Sequence, residues 1–174
     1  MLINLTDCFK VHGKTEKYDV DYDEKFFEYF GEKYPVVKYD KAHLVFTNVG
    51  DGNINVTGNF NVVLKMNCSR CLKDVESTVE VEFDSVLTEP DGFHEIDEEQ
   101  LLFMEMYELD TTKLINNELI MSLPMKILCK EDCKGLCLKC GRNLNDGDCG
   151  CDRFVPDPRM AAIQDIFNAY NKEV

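Results

Sequence analysis

The sequence predicts an α+β fold: mainly antiparallel β-sheet, partly barrel-like, with one packing helix, a small cysteine-rich zinc-binding segment and a C-terminal helix. Three observations predict it. Apolar and polar residues alternate over two long stretches, the period then changes to that of a helix, and six of nine cysteines crowd between Cys129 and Cys151.

The strands come first. Ile54, Val56, Phe60, Val62, Leu64 and Met66 alternate with Asn53, Asn55, Thr57, Asn59, Asn61 and Lys65, the pattern of a long strand with one buried face. Val79, Val81, Phe83 and Leu87 alternate with Thr78, Glu80, Glu82 and Asp84, and the connection from Cys68 to Glu76 makes the two neighbours. Upstream, Val36–Tyr39 and His43–Val49 are strand-like. Gly50-Asp51-Gly52-Asn53 is a turn signal that pairs the second of these with the long strand. Phe26, Phe27 and Phe30 suggest a short helix over 23–30. Residues 91–100 are acidic and aperiodic, a loop, and 102–109 returns to a strand-like pattern.

Helices follow. A cap at Thr111 and the spacing of Ile115, Leu119 and Leu123 predict a core helix that Pro124 stops. Asp157 caps a last helix with Pro158 at its first position and Met160, Ile163, Ile166, Phe167 and Tyr170 on one stripe. The expected organisation is therefore an antiparallel-sheet domain over 1–124, a cysteine-rich metal-binding segment over 125–155 and a helix over 156–174 that packs on the domain.

Composition limits the function. The chain has 174 residues, 44% hydrophobic and 30% charged, enough for one domain with a proper core. The opening Met1-Leu2-Ile3-Asn4-Leu5-Thr6-Asp7 lacks the features of a secretory signal, and no apolar run approaches the ~18 residues that cross a bilayer. A cytoplasmic protein without a membrane segment is expected, with reduced thiols free to ligate metal. A net charge of −14 argues against a generic nucleic-acid binder. The charge is uneven, however: from Lys126 to Arg159 seven basic and six acidic residues nearly cancel, so any RNA contact belongs in that third.

The cysteines carry the chemistry. Cys137-x-x-Cys140-Gly141 is the turn of a zinc knuckle, in which two intervening residues let both sulfurs face one ion and glycine accepts the backbone that follows. Cys129, Cys133, Cys149 and Cys151 are the remaining candidates. One zinc per chain is expected, held by Cys133, Cys137, Cys140 and either Cys149 or Cys151, with Cys129 outside the set; a four-thiolate site also accepts iron. Such binding contributes roughly 10–16 kcal/mol in isolated fingers, enough to order a segment without its own core. Cys68-Ser69-Arg70-Cys71 has the same gap. It is a possible second site, half of a shared one, a redox pair, or two buried residues at a strand end with Arg70 outward. Cys8 is expected to be inert. Scattered His12, His43 and His94, no phosphate loop and no nucleophile elbow point away from an enzyme and from a small-molecule substrate.

Asn67-Cys68-Ser69-Arg70-Cys71-Leu72 at a strand end, then Cys133-Lys134-Gly135-Leu136-Cys137, Cys140-Gly141-Arg142-Asn143-Leu144-Asn145 and Asp157-Pro158-Arg159, resemble the YceD family, named for accumulation of large-subunit ribosomal RNA. The likeness runs from about Ile54 to Ile166. It implies a small bacterial cytoplasmic factor for 23S rRNA accumulation and large-subunit assembly, and two cysteine motifs that act separately. The leading expectation is a non-enzymatic, zinc-bearing factor that contacts 23S rRNA through Arg70, Lys134, Lys139, Arg142 and Arg159. The alternative is an acidic adaptor that binds a basic large-subunit ribosomal protein without touching RNA.

Overall fold

The computed structural model describes residues 1–91, 93–151 and Ile163. The chain divides into two compact units, Met1–Cys129 and Lys130–Val174.

The first unit holds every regular strand described. Its long alternating stretches form β6 (Asn53–Asn67) and β7 (Asp74–Thr88), each of fifteen residues. They pair antiparallel from Asn53–Thr88 to Asn67–Asp74 without a register shift. On the other flank of β6 lie β5 (Ala42–Gly50) and β4 (Glu32–Tyr39), each pairing with part of its length. β2 (Thr15–Val20) extends the sheet beyond β5, and β3 (Phe26–Tyr29) extends it beyond β4. A second sheet of three short strands joins β1 (Leu2–Asn4), β9 (Glu108–Asp110) and β8 (Met104–Glu105) in that spatial order. Neither sheet closes, so the expected partial barrel does not form.

Burial follows the alternation. Ile54, Val56, Phe60, Val62 and Leu64 of β6 are buried while Asn59, Asn61, Lys65 and Asn67 are exposed. The helix α3 (Thr111–Ser122) lays Leu114, Ile115 and Leu119, all fully buried, into the same core. Its cap is Asp110 rather than Thr111: the Asp110 carboxylate accepts from the N–H groups of Thr112 and Lys113, and Thr111 instead donates its hydroxyl to Met1 O at 2.9 Å. Tyr22 reaches over to Asn116 Oδ1 at 2.6 Å. Two short helices, α1 (Thr6–Lys10) and α2 (Gln100–Phe103), complete the unit.

Two expectations need correction. The stretch 23–30 is not a helix but β3 and the start of a hairpin with β4. Its turn places Phe30 and Gly31 at positive φ of 49° and 79°, the backbone of a two-residue hairpin connection. The aromatic spacing that imitates a helix is a strand with an exposed tip. Likewise, 102–109 begins inside α2 before the two short strands β8 and β9. The last predicted helix falls outside the described residues except for Ile163, which is helical and exposed.

Candidate metal centre

Strand β6 ends at Asn67, and the chain turns at once through Cys68-Ser69-Arg70-Cys71 into β7. The Leu72 N–H donates to Cys68 O at 2.9 Å and the Cys68 N–H to Lys73 O at 2.8 Å. Beyond α3 an extended segment returns to this turn: Ser69 N–H donates to Ile127 O at 2.7 Å, and Ile127 N–H to Ser69 Oγ at 3.2 Å. That pairing brings Cys129 to the knuckle. Its sulfur stands 3.6 Å from Cys71 Sγ, and the Sγ atoms of Cys68, Cys71 and Cys129 lie within 4.8 Å of one another.

This arrangement fits the second-site reading of the first pair. A zinc–sulfur bond of about 2.3 Å in a tetrahedron puts sulfurs about 3.8 Å apart, so the three thiols fit one ion. Cys68 is fully buried. Burial opposes its ionisation more than any other single influence, yet the N–H groups of Arg70, Cys71 and Cys129 and the Cys71 thiol bring it down to about 6. Backbone donors that converge on a sulfur are the usual support of a metal-bound thiolate. Cys129, expected to stand outside the metal set, lies beside Cys68 and Cys71.

The second unit repeats the turn. Gly141 N–H donates to Cys137 O at 2.8 Å and Cys137 N–H to Arg142 O at 2.8 Å, with a bridge between Leu136 and Asn143. The Sγ atoms of Cys137, Cys140, Cys149 and Cys151 lie within 4.8 Å of one another. Both Cys149 and Cys151 therefore join the knuckle, and Cys133, expected as its first member, is not among these four. Backbone donation from Cys140 and Lys139, with the thiol of Cys149, holds Cys137 at about 6. Hydrogen bonds to the Cys140 and Cys149 sulfurs push Cys151 up to about 12.

Cys133 is buried and receives an N–H···S bond from Asn145 Nδ2 at 3.3 Å. Asn145 Oδ1 also accepts from the Lys134 N–H at 2.9 Å, and the Asn145 backbone N–H donates to Asn143 Oδ1 at 3.0 Å. The asparagines of the Asn143-Leu144-Asn145 run thus fix the loop around Cys133, a role the sequence reading missed. By contrast Cys8 is buried and its thiol raised by that burial, in keeping with an inert core residue.

The cationic candidates Arg70, Lys134, Lys139 and Arg142 are all exposed, and Arg159 lies outside the described residues. A cleft of about 420 Å³ opens beside the first knuckle, with Tyr29, Tyr34, Met66, Leu72 and Met125 in its walls.

Residues 56–167, from β6 through both cysteine motifs, match the family model described as large ribosomal RNA subunit accumulation protein YceD. The chain belongs to the YceD family. It is 29% identical over 132 residues to the Arabidopsis thaliana "Large ribosomal RNA subunit accumulation protein YCED homolog 1, chloroplastic", covering 60% of this chain and 41% of that one. The Zea mays protein of the same description is 25% identical over 130 residues, covering 58% and 44%. This YceD chain thus spans less than half the length of the curated relatives it matches. No solved structure matches it.

Proposed function

We propose that this chain is a non-enzymatic factor for accumulation of 23S rRNA and assembly of the large ribosomal subunit, in which zinc-ordered knuckles present cations to RNA. Family membership carries the biological role. The physical observation that carries the mechanism is the placement of Arg70 and Lys139 in the x-x positions of two matching Cys-x-x-Cys turns, exposed while the first cysteine of each turn is buried.

Two ions per chain, rather than the single one expected from spacing, account best for the thiols. Cys137, Cys140, Cys149 and Cys151 hold one. Cys68, Cys71 and Cys129 hold the other. When bound, zinc would act here as a structural tie that neutralises thiolates and fixes the turns. The amides around Cys68 and Cys137 orient the ligands.

Each fixed turn then offers a rigid, exposed cation: Arg70 on the first, Lys139 with neighbouring Lys134 and Arg142 on the second. Tyr29 and Tyr34, half-buried in the walls of the cleft beside the first knuckle, are the aromatic side chains there that an unstacked base would meet. Arg159 completes the proposed set. In a chain of net charge −14 such contacts are few, so affinity for RNA depends on a small number of phosphates and on stacking.

The test is binding of large-subunit rRNA fragments by the full chain at stepped salt, with Arg70→Ala and Arg142→Ala as variants. Loss of affinity for both variants, and a wild-type salt slope of a few phosphates, supports the reading. Unchanged affinity in both variants, with metal content intact, overturns the RNA contact.

A further inference from the structure

β7 is an edge strand. It is paired with β6 along its whole length, and no strand among the described residues lies on its other side. In an antiparallel ladder each residue turns its N–H and C=O to the same side, and the side alternates along the strand. Glu89 N–H donates to Gly52 O, and Lys73 O accepts from Cys68, both toward β6. Odd-numbered residues therefore face β6 and even-numbered ones, from Asp74 to Thr88, face outward. Thr88 agrees: the Gln100 carboxamide accepts from its N–H at 2.8 Å and donates to its C=O at 2.7 Å. That side chain imitates one residue of a neighbouring strand. Among the described residues no such partner meets the outward groups from Asp74 to Val86.

An open edge about 50 Å long is a hazard that proteins normally blunt by shortness, a bulge, proline or lysine. β7 has none of these. What it carries instead is charge of one sign: Asp74, Glu76, Glu80, Glu82 and Asp84, all exposed and all at the outward-facing even positions. Asp74 is held by Lys65 at 2.7 Å, and no ion pair among the described residues engages the other four.

One-signed charge on an open edge is selective. A second copy of β7 laid alongside sets carboxylate against carboxylate, which is destabilising. A nucleic-acid backbone is repelled in the same way. A strand with lysine or arginine at alternate positions finds an opposite charge at Asp74, Glu76, Glu80, Glu82 and Asp84 and a backbone partner for each outward N–H and C=O. We infer that β7 is a docking edge for an extended basic segment of a partner protein, which adds to the sheet as a further strand. This surface is separate from the knuckles and does not depend on the RNA reading.

The test uses the isotope-labelled full chain with three probes: a peptide of about ten alternating lysines and valines, matching half or more of the strand, its glutamate–valine counterpart, and oligouridylate. Amide exchange is read at Thr78, Glu80 and Glu82, whose N–H groups face outward, and at Val79 and Val81, which already bond to β6. The basic peptide is expected to slow the first set by about tenfold or more and to leave the second unchanged, with the effect fading as salt rises. The double change Glu80→Lys with Glu82→Lys, on exposed positions, weakens binding by about tenfold. Glu80→Pro removes one outward donor without touching the β6 ladder and abolishes the protection. Should either variant unfold, the other decides. A basic peptide that leaves the outward amides unprotected, or acidic peptide or oligouridylate that protects them equally, overturns the proposal.

Discussion

Cys71 and Cys129 are 58 residues apart in sequence and their sulfurs stand 3.6 Å apart. Nothing in local spacing joins them. The approach is made by β6, which delivers the knuckle at one end of the sheet, and by the Ser69–Ile127 backbone bond, which returns the chain after α3 to the same place. A thiol pair at this separation, next to a third whose ionisation is favoured by three backbone N–H groups, is the donor set of the proposed metal tie between the knuckle turn and the segment after α3.

Metal content tests this directly. Purified without chelator, the chain is expected to carry two zinc ions. Cys129→Ser and Cys149→Ser each remove a different one, so each single variant retains about one ion and the double variant none. Cys71→Ser combined with Cys129→Ser loses no more than either alone, because both belong to one site. Elemental analysis with a thiol count would sink the two-site reading if Cys129→Ser left the wild-type content unchanged.

Acidity gives a second handle. In the metal-free chain Cys68 and Cys137 sit at about 6, well under the ordinary thiol value of 9.0. A depressed group stabilises the folded state above its unfolded value and loses that contribution as pH falls through its folded value. The metal-free chain should therefore be more resistant to unfolding at pH 9 than at pH 6. Cys151, raised to about 12, works in the opposite sense, contributing fully below 9 and losing its contribution only as pH climbs towards 12. Zinc loading at pH 7 must also displace the Cys151 proton. Calorimetry in buffers of different ionisation enthalpy should register proton release, and Cys151→Ser should reduce it.

The sheet was legible because its signal is local. Alternation from Ile54 to Met66 gives the strand, its buried face and, with the Gly50–Asn53 turn, its β5 partner. The hairpin at Phe26–Tyr34 was misread because Phe26, Phe27 and Phe30 fit a helical spacing as well as a short strand with an exposed tip; Gly31 was the signal that favours the turn. The second cysteine group was readable in outline, since Cys-x-x-Cys-Gly and the Cys149/Cys151 pair lie within one short loop. The approach of Cys129 to Cys68 and Cys71 was not, because it depends on a contact made through tertiary structure. The partial barrel failed for a related reason: alternation fixes which face of a strand is buried but says nothing about whether the last strand meets the first.

The two knuckles differ at one informative position. The residue after the second cysteine is Gly141 in one, at φ 72°, and Leu72 in the other, at φ 59°. A side chain in the left-handed region costs about 1–2 kcal/mol, and Leu72 is largely exposed, so burial offsets little of that. Leu72→Gly is expected to stabilise the zinc-loaded chain by about 1 kcal/mol, and Gly141→Leu, which meets open space, to destabilise it by a similar amount. Denaturant unfolding at constant metal measures both. If Leu72→Gly also weakens RNA binding, the exposed leucine is serving the cleft beside the first knuckle.

Gly58 tests the core at its tightest point. It lies mid-way along β6, directly opposite Phe83 of β7, and a Cβ built there would collide with the Phe83 ring and come within 2.9 Å of Leu44 Cδ2. The aromatic ring lies over the glycine and occupies the space a side chain would need, so the residue is required by close approach rather than by backbone angle. Gly58→Ala should therefore cost about 1–3 kcal/mol, the usual range for overpacking a formed core. Phe83→Leu in the same chain should recover part of that loss, because it removes the ring atoms that clash. A double-mutant cycle on thermal or denaturant unfolding measures the coupling; additive effects would mean that the sheet relaxes at β6 without help from its neighbour, and the β6–β7 ladder would then be less rigid than its unbroken register implies.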